Sequence, residues 1–189
     1  MNSDRTCIRI GVSGHRFLED VETLESAICE VLETIRNRHE GAEFLLYSPL
    51  AVGADQLAAQ CALAQLDTHL AAVLPMPLEY YLRDFTEEQK GRFLGLYKKS
   101  EQKVELPFDG DREAAYLNSG KFILENSDYL VAVWNGREER GEGGTAQIVR
   151  LARESGKPLA WVRAHNAVPD GKIPLPEGLE QGSVSYENW

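Results

Sequence analysis

The chain of 189 residues is poor in cysteine, in unbroken apolar sequence and in excess positive charge, and each shortage removes a class of protein. Its three cysteines, Cys7, Cys29 and Cys61, are spread out and form no Cys-x-x-Cys pair. An odd number in apolar surroundings argues against a disulfide framework and reads as reduced core thiols of a cytosolic protein. No apolar run approaches the roughly 20 residues that a membrane helix needs, and Met1 to Thr6 is polar rather than a hydrophobic signal region. The expectation is a soluble, cytoplasmic protein without membrane association. Lys and Arg number 20 against 30 Asp and Glu, leaving a net charge of -10. That argues against a general nucleic-acid binder, since phosphate backbones are held by clustered cations. A free nucleotide needs only a local set of donors and stays admissible.

Several chemical signatures are missing as well. His15, His39, His69 and His165 have no ligand spacing with one another or with a cysteine, so no metal site is expected. There is no Gly-x-Ser-x-Gly, and Ser13 has no obvious base beyond His15 two residues on. No Gly-Lys-Ser/Thr follows any glycine run, which disfavours Mg²⁺-dependent nucleoside triphosphate hydrolysis. No internal repeat or low-complexity segment is found.

What is present is a sustained alternation of short apolar runs and amphipathic stretches. Ile8–Val12, Phe44–Tyr47, His69–Leu74, Lys103–Leu106, Tyr129–Trp134 and Pro158–Val162 read as strands. Val21, Leu24, Ile28, Val31, Leu32 and Ile35 recur at helical spacing between the first two. Thr86 and Asp111 are predicted helix caps, and Asn118-Ser119-Gly120 suggests a kink or break in the helix after Asp111. The pattern implies an α/β fold, a doubly wound, mostly parallel sheet with helices on both faces. At this length one domain covering 1–189 is expected. Its core would span about 7–163, with an irregular tail or a short edge strand over 164–189.

In such a sheet ligands bind beyond the carboxyl ends of the strands, near the point where strand order reverses. Four loops leave strand ends with unusual composition, and three carry the candidate site. The first is Gly11-Val12-Ser13-Gly14-His15-Arg16. Alone this Gly-x-x-Gly fits a plain tight turn; Ser13, His15 and Arg16 add donors suited to an anion. The second runs from Ser48 to Gly53-Ala54-Asp55. Asp55 fits two roles from its spacing, a helix-start carboxylate favoured by the dipole or an acceptor for a sugar hydroxyl or base edge. The third lies between the clearest strand and a helix, and offers Gly136, Gly141, Gly143, Gly144 and Thr145 as a phosphate cradle. The fourth, Pro75 to Asp84, brings Tyr80 and Tyr81, which with Tyr116 read as core or rim residues, one of them free to stack on a base.

Three of these segments together resemble the SLOG superfamily of Rossmann-like proteins, which includes the LONELY GUY phosphoribohydrolases and the DNA-processing protein A fold. The match is to a bacterial branch with Gly-Val-Ser-Gly-His-Arg, Ser-Pro-Leu-Ala-x-Gly-Ala-Asp and a late Gly-x-Gly-Gly-Thr-Ala. It is carried here by Ile10–Arg16, Ser48–Asp55 and Trp134–Ala146, within a span of roughly 8–163. The resemblance implies a nucleotide-type ligand such as AMP, ADP-ribose or NAD, no required cofactor, and pairing of two copies through helices. Phosphate would lie at Ser13–Arg16 and Gly143–Thr145, with Ser48 and Asp55 nearer the sugar. In the phosphoribohydrolases the late motif reads Pro-Gly-Gly-x-Gly-Thr-x-x-Glu, and the glutamate takes part in cleaving base from sugar. Aligning Gly144-Thr145 with its Gly-Thr puts Ile148 at the glutamate position, with Gln147 one residue short and the opening altered to Arg140-Gly141-Glu142. The sequence therefore points first to a binding or sensor domain. An N-glycosidic hydrolase using Asp55 or Glu142 is the alternative, and an interaction module with a vestigial pocket is a third.

Overall fold

The first strand, β1 (Cys7–Gly14), lies inside the sheet, with Ile8, Ile10 and Val12 buried on one side. The computed structural model describes residues 6–65, 68–138, 144–168 and 171–189. Parallel neighbours flank β1 on both edges: Cys7–Gly11 lie opposite Glu43–Tyr47 of β2 (Glu43–Ser48), and Ile10–Gly14 opposite Tyr129–Val133 of β5 (Tyr129–Trp134). Beyond β2 come β3 (Thr68–Leu74) and β4 (Gln102–Glu105); beyond β5 come β6 (Leu159–Arg163) and β9 (Val184–Glu187). Within this seven-stranded sheet all pairs are parallel except β6–β9. The chain thus winds outward from β1 to β4, returns to the other side of β1, and winds outward again. This is a Rossmann-like, doubly wound α/β sheet, and strand order reverses between β1 and β5.

Helices cover both faces because right-handed parallel crossovers in opposite directions must lie on opposite sides. The strand alternation records this. Val131 and Val133 join a core with Leu24, Ile28, Val31 and Leu32 of α1 (Val21–Arg38) and with Ala58, Ala59 and Ala62 of α2 (Ala54–Leu63). Leu130, Ala132 and Trp134 point the other way. They meet Leu117 and Leu124 of α5 (Arg112–Asn126), and Ile148, Val149 and Ala152 of α6 (Thr145–Glu154). Each fully buried aliphatic side chain contributes about 1.5–3 kcal/mol, so both faces are needed to hold the sheet. Between β3 and β4 the chain forms a single turn, α3 (Leu78–Tyr81), a 3-10 turn at Leu82–Asp84, and α4 (Glu87–Lys99).

The predicted caps are present. The Thr86 hydroxyl accepts from the Gln89 backbone N–H, and the Gln89 side chain accepts from the N–H of Thr86. Asp111 accepts from the Ala114 N–H at 3.1 Å. Two expectations are corrected. First, α5 runs unbroken through Asn118-Ser119-Gly120: the Ser119 hydroxyl donates to the Val73 carbonyl at 3.1 Å, and Gly120 leaves space that Ile148 fills. Second, only Cys61 is buried; Cys29 is half-buried and Cys7 exposed, all as free thiols. The C-terminal stretch carries a short edge strand, one of the two forms expected for it, and a hairpin besides. A hairpin of β7 (Asn166–Val168) and β8 (Gly171–Ile173) precedes the antiparallel edge strand β9. The hairpin is laid on the segment after β1, through an Ala167 N–H bond to the Phe17 carbonyl at 3.0 Å and a bridge between Leu18 and Asn166. Among the described residues no helix is long and apolar enough to cross a membrane.

Candidate functional site

A cleft of about 360 Å³ opens where strand order reverses, within the roughly 300–1,000 Å³ usual for small-molecule sites. Its floor is the end of β1 and the turn that follows it, Val12 to Phe17. One wall comes from the loop after β2 with Asp55 and Tyr81, another from α5, and a third from Gly144, Thr145 and Ile148 of α6.

The turn is held tightly by backbone. The His15 N–H donates to the Val133 carbonyl at 3.0 Å, and the Ala54 N–H donates to the His15 carbonyl at 3.1 Å. A Cβ on Gly14 would collide with the Ala54 methyl and stand 2.9 Å from Val133, so a glycine is required where β1 meets α2. Gly53 has a φ of 91° and passes directly over the carbonyl oxygens of His15 and Arg16, which only a residue without a side chain does without strain. The two sequence motifs are therefore locked to each other.

His15 is buried (4% exposed), and its Nε2 accepts the Asn135 backbone N–H at 3.0 Å. An imidazole nitrogen that accepts carries no proton, so the neutral ring holds its proton on Nδ1. Burial pushes its pKa down to about 4, against a smaller opposing effect of the Asn135 side chain. His15 is thus a neutral pin between the ends of β1 and β5 rather than a cation for an anionic ligand. Asn135 carries the pin onward: its Oδ1 accepts from the Arg137 N–H at 3.1 Å.

Arg16 is exposed, with its guanidinium 4.9 Å from the centre of the Tyr116 ring and, among the described residues, no ion pair within 4 Å. Tyr116 is itself held by a hydroxyl bond to Asp84, which also accepts from Arg112. A flat, supported guanidinium beside a turn is well suited to an anion. Across the cleft Gly144 caps α6 and Thr145 begins it, so the positive end of a ten-residue helix faces the same space.

Asp55 and Tyr81 line the cleft deeper in. Both are buried (5% and 0% exposed), yet Asp55 Oδ1 and the Tyr81 hydroxyl have no hydrogen-bond partner among the described residues. Burial raises the Asp55 carboxyl to about 7; the Arg16 charge and a backbone bond from Ala51 act the other way. Burial likewise raises the Tyr81 phenol well above its ordinary range, helped by the charge of Asp55. Asp55 therefore lies in the cleft and is more than a carboxylate placed to suit the dipole of α2.

Not every expected residue reaches the cleft. Gly11 packs against α5, where a Cβ would stand 2.7 Å from Ile123 and 2.8 Å from the Ser127 hydroxyl. Ser48 is fully buried, accepting from the Leu50 N–H at 3.0 Å and donating to the Asp55 carbonyl at 3.3 Å; it shapes the loop and does not line the site. Gly136, with a φ of 76°, lets Trp161 approach within 2.9 Å of where its Cβ would be. Ala54 abuts Gly14, a packing role. Gly141, Gly143, Arg140 and Glu142 lie outside the described residues. Ser13, Gly14, His15, Arg16, Asp55, Gly144 and Thr145 do come together. Sequence reasoning missed the α5 wall of Glu113, Ser119, Gly120 and Ile123, which with Tyr116 recur at three- and four-residue spacing along one helix stripe. That spacing was the available signal, hidden by reading Ser119-Gly120 as a break. Ile148 is buried (3% exposed) and packs on Gly120.

No protein-family profile matches the sequence. No curated protein is detectably similar to it. Among solved structures the chain is similar to that of TM1055, with 17% identity, a TM-score of 0.50, and coverage of 80% of this chain and 72% of that one. It is also similar to the molybdenum cofactor binding protein from the phototrophic bacterium Rippkaea orientalis, with 17% identity, a TM-score of 0.50, and coverage of 83% and 76%. The Moco carrier protein from Chlamydomonas reinhardtii shows 21% identity, a TM-score of 0.46, and coverage of 82% and 75%. At such identities the likeness concerns the fold.

Proposed function

We propose that the chain is a SLOG-type domain that binds a nucleotide or nucleotide-derived ligand in the cleft between β1 and β5, in the manner of a sensor. The observation that carries this reading is convergence. Arg16, the start of α6 and a buried carboxyl from another loop all face one space at the reversal of strand order. The anion would sit between the Ser13–Arg16 turn and Gly144–Thr145. Ile148 supplies no acid or base, which favours binding over base cleavage. We propose further that the chain acts as one domain and, by the same resemblance, forms a homodimer, which sedimentation equilibrium reads directly.

One observation favours a second reading. A cleft carboxyl whose pKa is raised to about 7 is suited to proton transfer near neutral pH, so Asp55 would be the acid–base group of an N-glycosidic hydrolase.

A thermal-shift screen with AMP, ADP-ribose, NAD and cyclic nucleotides tests the reading, with the molybdenum cofactor added because of the Rippkaea orientalis neighbour. Stabilisation is expected with at least one compound and is lost in Arg16→Ala. Chromatography of each mixture after incubation separates the readings: intact ligand supports a sensor, and released base supports the hydrolase. No shift with any compound contradicts the cleft as a nucleotide site.

A further inference from the structure

The two unpartnered polar atoms in the cleft lining belong to groups of complementary chemistry. Asp55 Oδ1 is an acceptor in its ionised form, and the Tyr81 hydroxyl is a donor that also accepts. Buried polar atoms are almost always paired, and two in one cleft wall are best explained by what enters the cleft. Their partner must bring one hydrogen-bond donor and one acceptor to the same place.

A base edge and a sugar diol both meet that requirement, and the surroundings separate them. The Tyr81 ring is committed to the core: it packs edge-on against Phe85 at 5.1 Å and Phe93 at 5.6 Å, so what it can offer at the cleft is its unpartnered hydroxyl and not a stacking face. The Tyr116 face is covered by the Arg16 guanidinium. Among the described residues the Tyr81 ring and one face of Tyr116 are thus taken, which leaves little aromatic surface beside Asp55 and Tyr81 for a base to stack on. The half-exposed ring in the cleft wall is Phe17, next to Arg16 on the opening turn. Arg16, Asp55 and Tyr81 line the same cleft, which puts the unpartnered pair in one space with the anion anchor. In a nucleotide the unit next to the phosphate is the sugar; the base lies one unit further out.

We infer that Asp55 and Tyr81 form a ribose-recognition subsite that holds the vicinal 2′- and 3′-hydroxyls of a ribonucleotide, and that the cleft rejects deoxy forms. The inference rests on the nucleotide reading of the cleft. One hydroxyl donates to Asp55 Oδ1, and the other accepts from Tyr81. A site built around a hydroxyl discriminates strongly against the analogue that lacks it, because its buried groups are left unpaired.

Calorimetric titration tests this. The tightest binder among AMP, GMP, CMP and UMP is compared with its 2′-deoxy and 3′-deoxy forms, on the wild-type chain and on Tyr81→Phe and Asp55→Asn. The ribonucleotide is expected to bind at least about tenfold more tightly than one or both deoxy forms. The ratio is expected to fall toward one in Tyr81→Phe and in Asp55→Asn. Equal binding of ribo and deoxy forms by the wild-type chain overturns the subsite and leaves the nucleotide reading standing. A ratio unchanged in both variants also overturns it. Failure of all four ribonucleotides to bind overturns the subsite, and failure of every nucleotide in the thermal-shift screen overturns both. Thermal unfolding of each variant establishes that it is folded, and Tyr81→Phe suffices alone if Asp55→Asn is not.

Discussion

Asp55 and Tyr81 each keep a buried polar atom without a partner among the described residues. An unsatisfied buried group costs about 1–3 kcal/mol of stability, so a site that keeps two trades stability for recognition. Tyr81→Phe removes one such atom without changing the packing of the ring. The free protein is expected to unfold at a higher temperature in that variant, and an unchanged or lower midpoint would show that the hydroxyl is satisfied in solution. The two titrating groups of the cleft have opposite linkage to pH. Asp55 is raised from 3.8 to about 7, so its contribution to stability is present below its ordinary range and lost as pH rises through about 7. His15 is lowered from 6.5 to about 4, so its contribution is present above 6.5 and lost as pH falls through about 4. Asp55→Asn removes only the first. Urea unfolding should therefore show the variant gaining on the wild-type chain as pH rises from about 4 to about 7. A difference that stays constant over that range would contradict the burial of this carboxyl.

Individual elements were read well where a side chain caps or patterns them, and less well where glycine stands. Thr86 and Asp111 announced α4 and α5 through chemistry local to a few residues. The turn after β1 was legible because Ser13, His15 and Arg16 accompany its glycine at a strand end. Gly11, Gly136 and Gly120 were misread because composition cannot distinguish a glycine that clears room for a ligand from one that clears room for Ile123, Trp161 or Ile148. Those neighbours are distant in sequence and meet only in the folded sheet. Two predictions belong at this scale. In α4, a Cβ at Gly91 or Gly95 would meet nothing within 4 Å, so Gly→Ala at each should stabilise by about 0.5–1 kcal/mol in urea unfolding. At Gly14 the same change meets Ala54 and Val133, and a loss of at least about 1–3 kcal/mol is expected. Equal effects at the two places would contradict the close approach of β1 and α2.

At the scale of the molecule, the strand–helix alternation made the class of fold readable, while the order of strands was not written in any one segment. That order places β5 beside β1, and so brings Asn135 under His15 across 120 residues. It also turns Asp55, Arg16 and Thr145 from three separate motif residues into the walls of one cleft. An edge strand after β6 was one of two readings of the tail, but the β7–β8 hairpin was hidden by a sequence rich in Pro and Gly, since the Phe17 segment it lies on is elsewhere in the chain. The most direct test of the cleft is backbone amide mapping by nuclear magnetic resonance during titration with the ribonucleotide that stabilises the protein most in the thermal-shift screen. The account predicts that the largest shifts fall on Ser13–Arg16, Asp55, Gly144 and Thr145. Shifts gathered instead at the separate depression formed by Arg36, Asn37, His39 and Phe44, or no shifts at all, would contradict it.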